Sequence, residues 1–273
     1  MSGAARKNLK WALIYAFLIV ASLISVFPLY WAFISAFNNT QQILGGSMLP
    51  HGYLLTNLHN LMDQAAVLTA FKNSTINTLL VLVLSLTVCS IAGYGFEIYH
   101  DKWKDRVMGI LMLSMMVPFV AILVPMFQMF SAMGLMNKAM GFVLPSISTP
   151  FLIMLFRSNA RNFPKEIIEA ARIDGLNEVQ IFIRMFIPTM RPTYAAAATI
   201  TFMNTWNAYL WPRVILKSNE AITMPMMVSN LMGGYVIDYG VVMAGVTICT
   251  LPTVIIFFFL QKSFTEAIAG SVK

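Results

Sequence analysis

The stretch EAARIDGLNEVQIFIRMFIP, residues 169–188, carries charges of both signs and a glycine in a chain that is otherwise strongly apolar. Hydrophobic residues make up 58% of the 273 residues, and charged residues only 11%. An average soluble domain is about 25% charged, so this composition could not give a soluble surface. The chain is therefore predicted to be an all-α polytopic membrane protein in which this stretch lies outside the bilayer.

Six apolar stretches are each long enough to cross about 30 Å of hydrocarbon as a helix. They lie at about 11–34, 74–97, 107–129, 139–157, 193–212 and 241–261. The first follows Arg6, Lys7 and Lys10, which is also how a cleaved signal peptide begins, but its apolar run exceeds the usual length of about 7–15 residues. We expect a retained first span and a single transmembrane domain, 1–273, without internal repeats.

The distribution of Lys and Arg predicts the topology. With the N-terminus inside, most of these residues fall in cytoplasmic segments, as the positive-inside rule requires, and the exceptions are Lys72, Lys138, Arg213 and Lys217. With five or seven spans, loops that are rich in Lys and Arg and loops that are poor in them would lie on the same side of the membrane. Both termini are therefore predicted to be cytoplasmic, and the loop at about 158–192 is the most charged one. This topology explains the net charge of +7, and no basic stripe indicates a nucleic-acid partner.

The middle of each predicted span lacks Asp, Glu, Lys and Arg. Ion-coupled carriers usually keep such a group in the membrane, so its absence argues against ion coupling. The spans instead carry neutral polar and aromatic side chains, which suit a neutral hydroxylated substrate: Gln128, Asn204, Trp206, Asn207 and Tyr209. An alternative is that the amides hold helices together and the aromatic rings mark the headgroup region. In the third span, Pro118 and Pro125 are expected to kink the helix.

Motifs for ATP binding or catalysis are absent from the sequence. Gly93 and Gly95 form only a G-x-G in an apolar helix, and nothing matches a P-loop, HExxH or GxSxG motif. The three histidines are isolated from one another, so no metal site is expected. The chain itself is predicted to bind no cofactor and to be no enzyme.

The charged segment is predicted to fold as two helices joined by a turn. Pro164 suits a first helical position, and Gly175 suits the left-handed residue that ends a helix. Asn177 and Gln180 form a capping box for a second helix, EVQIFIRMFI, which Pro188 would stop or kink. A solvated amphipathic loop is the alternative. On an exposed first helix, small residues at 170 and 171 would let a partner approach the backbone closely.

The spacing in this segment resembles the EAA loop of ABC importer permeases. The matching residues are Glu169, Ala170, Ala171, Gly175, Met185, Ile187 and Pro188. The sequence EAARIDG resembles the corresponding sequence of the carbohydrate importers, in particular the inner permease of the maltose system. The same importers have sequences similar to VPFVAILVPMF, WNAYLWP and the tail LQKSFTEAIAGSVK. The chain departs from the family pattern at Met185 and Ile187, where the family prefers isoleucine and leucine. It also departs in YGFEIYHDKWKD, which has fewer arginines than is usual for the family.

The resemblance implies a type I ABC importer permease fold in a bacterial inner membrane. It implies a second permease subunit, two cytoplasmic ATP-binding subunits that hold ATP and Mg, an extracytoplasmic sugar-binding protein and surrounding lipid. The substrate would be a di- or oligosaccharide. The residues implied in coupling to the ATPase are Glu169, Ala170, Ala171, Asp174, Gly175 and Pro188. The alternatives are an ion-coupled secondary carrier and a membrane scaffold protein.

Overall fold

The structure, a computed structural model, describes the backbone of residues 3–270 and the side chains of residues 8–261. Over this range the backbone is helical, with turns and short loops between the helices. The extreme ends of the chain lie outside the described residues, and the described side chains do not include most of the tail that resembles the carbohydrate importers or the predicted cytoplasmic charges Arg6, Lys7, Lys262 and Lys273. The chain divides into two compact units, one formed by residues up to 66 with 228–250, the other by residues 67–227 with the segment from 251.

The first unit begins with helix α1, Gly3–Ser35, followed by α2, Thr40–Leu44, and α3, Leu54–Gln64. Apolar side chains are exposed along α1 from Leu9 to Phe33, as expected of a helix that contacts lipid. The buried Asn57 in α3 donates to the carbonyl oxygens of Ala36 and Asn38 at 2.8 and 3.0 Å. This amide satisfies two carbonyl groups just beyond α1 and holds the first turn of the loop in place.

The second unit contains a central long helix and the helices that pack around it. These helices are α4, Val67–Ile98; α5, Lys102–Ser114; α6, Phe119–Ala132; α7, Ala139–Val143; α8, Pro150–Ala160; α9, Lys165–Ile173; α10, Glu178–Ile181; α11, Ile187–Thr189; α12, Arg191–Trp206; and α13, Leu210–Ile215. Two further helices each have residues in both units: α14, Met224–Leu231, and α15, Tyr239–Gly270. Helix α4 packs along α8 and α12.

Gly93 allows the close crossing of α4 and α8. A Cβ atom built on Gly93 would lie 2.5 Å from the Cβ of Phe156 and 2.8 Å from the backbone nitrogen of Arg157. Real Cβ atoms do not approach other heavy atoms so closely, because dispersion attraction turns to repulsion well before that distance. The residue at position 93 therefore has to be glycine for these two helices to keep their present separation.

Three described helices are long and apolar enough to cross a membrane: Asn8–Ser35, Val67–Ile98 and Tyr239–Gln261. Two bent helix pairs raise the number to five if each pair is one span. These segments cover the predicted first, second, third, fourth and sixth spans. The predicted fifth span is divided, because α12 has only 16 residues and the chain turns before α13 begins. A helix of about 20 residues is needed to cross the hydrocarbon core unaided.

The third predicted span is not one kinked helix, which corrects the expectation for residues 107–129. Helix α5 ends at Ser114, α6 starts at Phe119, and their axes differ by 100°. Pro118 has the extended dihedral angles of an N-cap residue, φ −60° and ψ 131°, and so starts a new helix instead of bending an existing one. Pro125, in contrast, lies inside α6.

The fourth predicted span, residues 139–157, is also broken. Helix α7 runs into a 3-10 turn, Leu144–Ser146, and α8 starts at Pro150 with an axis bent by 46°. Proline at positions 145 and 150 removes two backbone donors from this short stretch, so a continuous α-helix could not keep its hydrogen bonds. Short polar side chains, among them Ser146 and Thr149, lie at this break in an otherwise apolar stretch.

Candidate functional site

The turn between α9 and α10 has the geometry that its sequence predicts. Gly175 has φ +80°, and its N–H donates to the carbonyl of Arg172, while the N–H of Leu176 donates to that of Ala171. These two bonds form a Schellman motif, which satisfies carbonyls at the end of α9. Pro164 is the N-cap of α9, one position before the predicted one.

The capping box at the start of α10 is confirmed. The side-chain oxygen of Asn177 accepts from the N–H of Gln180 at 2.9 Å, and the Gln180 side chain accepts from the N–H of Asn177 at 2.9 Å. The helix that follows is not a regular α-helix, because Phe182–Phe186 form a π-helix. This wider turn lies just before Pro188, whose ring would clash with the Arg184 carbonyl in a regular α-helix.

An apolar core fixes this two-helix segment, residues 158–192, to the C-terminal ends of α4 and α8. It contains Ala171 of α9 and Ile181 of α10, together with Phe186, Phe163 and Tyr94. The rings of Tyr94 and Phe186 meet edge to face with centroids 4.8 Å apart. The expectation that both alanines are exposed is therefore wrong for Ala171, which is buried in this core, whereas Ala170 is exposed.

A polar contact reinforces the same attachment. The carboxylate of Glu178 accepts from the hydroxyl of Tyr99, and at 2.8 Å from Nε of Arg172. These bonds lower the pKa of Glu178, with Arg172 as the larger cause, and they raise the pKa of Arg172. Burial and the same carboxylate raise the pKa of Tyr99. At neutral pH, the contact therefore joins an ionised carboxylate, a guanidinium and a neutral phenol.

The outer surface of the segment exposes large apolar side chains. Ile173 is 86% exposed at the end of α9, and it lies one turn after the exposed Glu169. Val179 and Ile183, one turn apart, are also exposed. Residues Asp174 and Pro188, predicted to take part in coupling, are at the surface too. Exposed apolar groups of this size are typical of surfaces that contact another protein or lipid.

A buried guanidinium joins three helix ends next to this segment. Nε of Arg157, in α8, lies 3.2 Å from the Glu97 carboxylate of α4, and its Nη2 contacts the Asp105 carboxylate of α5. The Arg157 side chain is only 6% exposed, whereas Arg161, which contacts the same Glu97 at 3.4 Å, is 63% exposed. Two carboxylate partners compensate the charge of Arg157 and make its burial possible.

A cavity of about 720 Å³ lies within the second unit, between α4, α6, the break before α8, and the turn after α12. Its polar lining residues are Ser85, Ser146, Thr149, Thr201, Asn204, Thr205 and Tyr209. Aromatic rings form much of the remaining wall: Phe119, Phe142, Phe151 and Trp211. The lining contains no Asp, Glu, Lys, Arg or His among the described side chains. Such a cavity suits an uncharged ligand with both apolar faces and hydrogen-bonding groups.

The structure brings together only two of the predicted substrate residues. Asn204 and Tyr209 line the cavity, whereas Gln128, Trp206 and Asn207 do not. Trp206 is buried between Phe71 and Phe202, with ring centroids 5.7 and 5.6 Å away. Asn207 donates to the carbonyl of Met203 at 2.9 Å, and Gln128 is exposed on α6.

Ser146 and Thr149 line the cavity although neither was predicted to do so, and Trp211 of the motif WNAYLWP lines it as well. Trp211 is buried, and its indole N–H donates to the Gly141 carbonyl at 3.1 Å, which fixes the ring against the wall. For Ser146 and Thr149, the one available signal was their place between two prolines in an apolar stretch. Their contribution depends on the break in the helix, which periodicity does not predict.

Known proteins resemble this chain over its whole length. Residues 85–269 match the family described as "Binding-protein-dependent transport system inner membrane component". The chain is 40% identical to the lactose transport system permease protein LacG of Rhizobium radiobacter, with 100% of both chains covered. It is 32% identical to the arabinooligosaccharides transport system permease protein AraQ of Halalkalibacterium halodurans, with 97% of each covered.

The fold has also been seen in a solved structure. A chain of a bacterial ABC transporter involved in the import of the acidic polysaccharide alginate has a TM-score of 0.84 at 20% identity, and the match covers 97% of this chain and 99% of that chain. The predicted all-α ABC importer permease fold is thus confirmed. The chain is a multi-pass protein of the inner membrane and a transporter subunit, not an enzyme, and it belongs to the family of binding-protein-dependent transport system inner membrane components.

Proposed function

We propose that this chain is the permease subunit of an ATP-driven sugar importer. In this proposal it forms half of the translocation path, beside a second permease subunit. Two cytoplasmic ATP-binding subunits, which hold ATP and Mg, drive the cycle, and an extracytoplasmic binding protein delivers the sugar. The similarity to LacG and AraQ, whose names specify lactose and arabinooligosaccharides, supports a sugar as substrate.

The observation that carries the proposal is the exposed apolar surface of segment 158–192. Ile173, Val179 and Ile183 project from a helix pair that its own core ties to α4 and α8. An ATP-binding subunit that covers these side chains would move the segment as a rigid body. The movement would reach the helices around the cavity, because α4 and α8 both line it. Glu169 and Asp174 would supply charge at the edge of this contact, and Gly175 and Pro188 would fix its shape.

We further propose that the substrate path passes through the cavity of the second unit, with Asn204 and Tyr209 in its wall. Six crossings of the membrane, with both termini in the cytoplasm, would place segment 158–192 on the side of the ATP-binding subunits. The divided fifth span would then cross as α12 with the turn and α13. Reporter fusions after residues 100, 162 and 235 test this topology, because only the last of the three is expected outside.

The direct experiment is reconstitution of the chain in proteoliposomes with its partner permease, ATP-binding subunits and binding protein. ATP-dependent uptake of lactose or an arabinooligosaccharide is the expected result. Uptake driven by a proton or sodium gradient without ATP would support an ion-coupled carrier instead. A complex whose ATP hydrolysis does not respond to any sugar-loaded binding protein would support a scaffold.

Two substitutions probe the coupling segment within that system. Gly175→Pro should abolish uptake because the proline ring fixes φ near −65° where the turn needs +80°, and the lost N–H would leave the Arg172 carbonyl unpaired. Gly175→Asn is the matched control, since asparagine tolerates the left-handed conformation. Glu169→Lys should also abolish uptake. Normal ATP-driven uptake by both Gly175→Pro and Glu169→Lys would refute the mechanism.

Val179→Glu tests the proposed contact with the ATP-binding subunit. A carboxylate at this exposed position should prevent the subunit from covering the apolar surface, so the ATP-binding subunit should no longer co-purify with the permease. Val179→Thr has nearly the same shape and is the control. Unchanged co-purification and uptake with Val179→Glu would show that this surface is not the contact.

A further inference from the structure

We infer that the cavity of the second unit binds an uncharged sugar and discriminates against anionic saccharides. The inference rests on the proposed function and specifies its substrate class. Similar proteins differ in this property, because one relative is named for lactose, which is neutral, and the solved neighbour for an acidic polysaccharide.

The composition of the lining carries the first step. Each side chain that lines the cavity is apolar or neutral and polar. A carboxylate or phosphate that entered would lose water without gaining a cationic partner from this chain, which is strongly unfavourable in an apolar surrounding. The buried Arg157 of α8 does not line the cavity, and its guanidinium is bound by Glu97 and Asp105. A neutral hydroxylated ring avoids this electrostatic cost.

One hydroxyl in the cavity wall has no hydrogen-bond partner within the described part of the chain. Thr201 in α12 is buried and lines the cavity, and its hydroxyl has no hydrogen-bond partner. Thr199, two residues earlier on the same helix, donates to the Ala195 carbonyl at 2.8 Å and does not line the cavity. A sugar hydroxyl both donates and accepts, so it could pair with Thr201 in either sense. The Thr201 hydroxyl oxygen is itself covered, so this pairing requires the threonine to change its χ1 rotamer. Thr149, also unpartnered, offers a second such hydroxyl on the wall.

Aromatic rings in the cavity wall offer a surface for the apolar part of the ligand. The ring of Tyr209 and those of Phe119 and Phe142 line the cavity. Aromatic faces pack well on the C–H faces of pyranose rings. The volume of about 720 Å³ lies within the range of about 300–1,000 Å³ that is usual for sites of small organic ligands. A mono- or disaccharide, not a long polymer, therefore fits the site as a whole.

The test is sugar protection of a cysteine in the cavity wall. In the assembled importer carrying Ala208→Cys, labelling by a water-soluble maleimide is measured with lactose, glucose or glucuronate present. Glucose and glucuronate form a matched pair, because they differ only in a carboxylate that replaces a hydroxymethyl group. The unsubstituted importer gives the background from Cys89, which is buried, and Cys249. Protection by lactose or glucose without protection by glucuronate is the expected result; equal protection by glucuronate, or none by either neutral sugar, would overturn the inference.

Two threonine variants locate the site. Thr201→Val should raise the lactose concentration for half-maximal protection about two- to tenfold, as expected for one neutral hydrogen bond, whereas Thr199→Val should leave it unchanged. Equal effects of both variants would overturn the role of Thr201. If the proposed function is wrong, ATP-dependent uptake should be absent although the sugars still protect the introduced cysteine from labelling. Normal uptake without protection would show that the sugar does not bind in this cavity, whereas the proposed function would still hold.

Discussion

Tyr99 donates its phenolic hydrogen to the carboxylate of Glu178, and this bond joins the residue after α4 to the first residue of α10. Beneath it, Tyr94 contacts Tyr99 and Phe182 edge to face. The exposed helix pair is thus attached to α4 by a polar contact at the surface and an aromatic one in the core.

Loss of the Tyr99 hydroxyl should loosen the start of α10. Because both side chains are substantially exposed, the contact with Glu178 should contribute no more than about 1 kcal/mol. Tyr99→Phe, Glu178→Gln and the double variant form a cycle whose coupling energy can be measured by hydrogen exchange of the amides near 178–181. A coupling energy of zero would show that the contact does not hold the segment.

The contribution of Glu178 should depend on pH in one direction. Its pKa is lower in the folded chain than the ordinary glutamate value of about 4.3, so the unfolded state binds more protons as the pH falls. The stabilisation is therefore complete above about pH 5 and disappears as the pH falls through the folded pKa. The difference in melting temperature between the natural chain and Glu178→Gln should be constant from pH 8 to about 5 and shrink below it. A difference that changes between pH 6 and 8 would contradict this assignment.

Gly93→Ala should destabilise the second unit by about 1–3 kcal/mol. The new methyl group would overlap Phe156 and the backbone of α8, neither of which can move freely. Gly95→Ala is the control, since a Cβ at position 95 has no neighbour within 4 Å and alanine favours a helix. Thermal unfolding of the purified chain in detergent measures both, and equal melting temperatures would contradict the close crossing.

Arg157→Met should be far more costly than Arg161→Met. Removal of the buried guanidinium takes away the hydrogen bonds that it donates to Glu97 and Asp105, and the loss of a hydrogen bond to a charged group costs about 1.5–3 kcal/mol. The exposed Arg161 contacts the same carboxylate and should contribute about 1 kcal/mol or less. The comparison requires only unfolding measurements on the two variants. Similar losses of stability would show that burial of Arg157 is unimportant.

Features decided by short-range chemistry were predictable from the sequence. The capping box at Asn177, the left-handed Gly175 and the positions of the long apolar helices were all confirmed. Each depends on dihedral preferences or hydrogen bonds within a few residues, or on the apolar length that a bilayer needs. Membership of an ABC importer family followed from the same segment, because its spacing is distinctive.

Only the tertiary structure decided which side chains share a space. Asn204 and Trp206 are two residues apart on one helix, yet the first lines the cavity and the second packs against Phe71. Ala171 looked exposed from the pattern and is buried, because the core that covers it combines residues of the segment itself with Tyr94 of α4 and Ala160 of α8. The sharp bend at Pro118 and the need for glycine at position 93 have the same origin. These properties depend on contacts between residues far apart in the chain, which local propensity and periodicity do not encode.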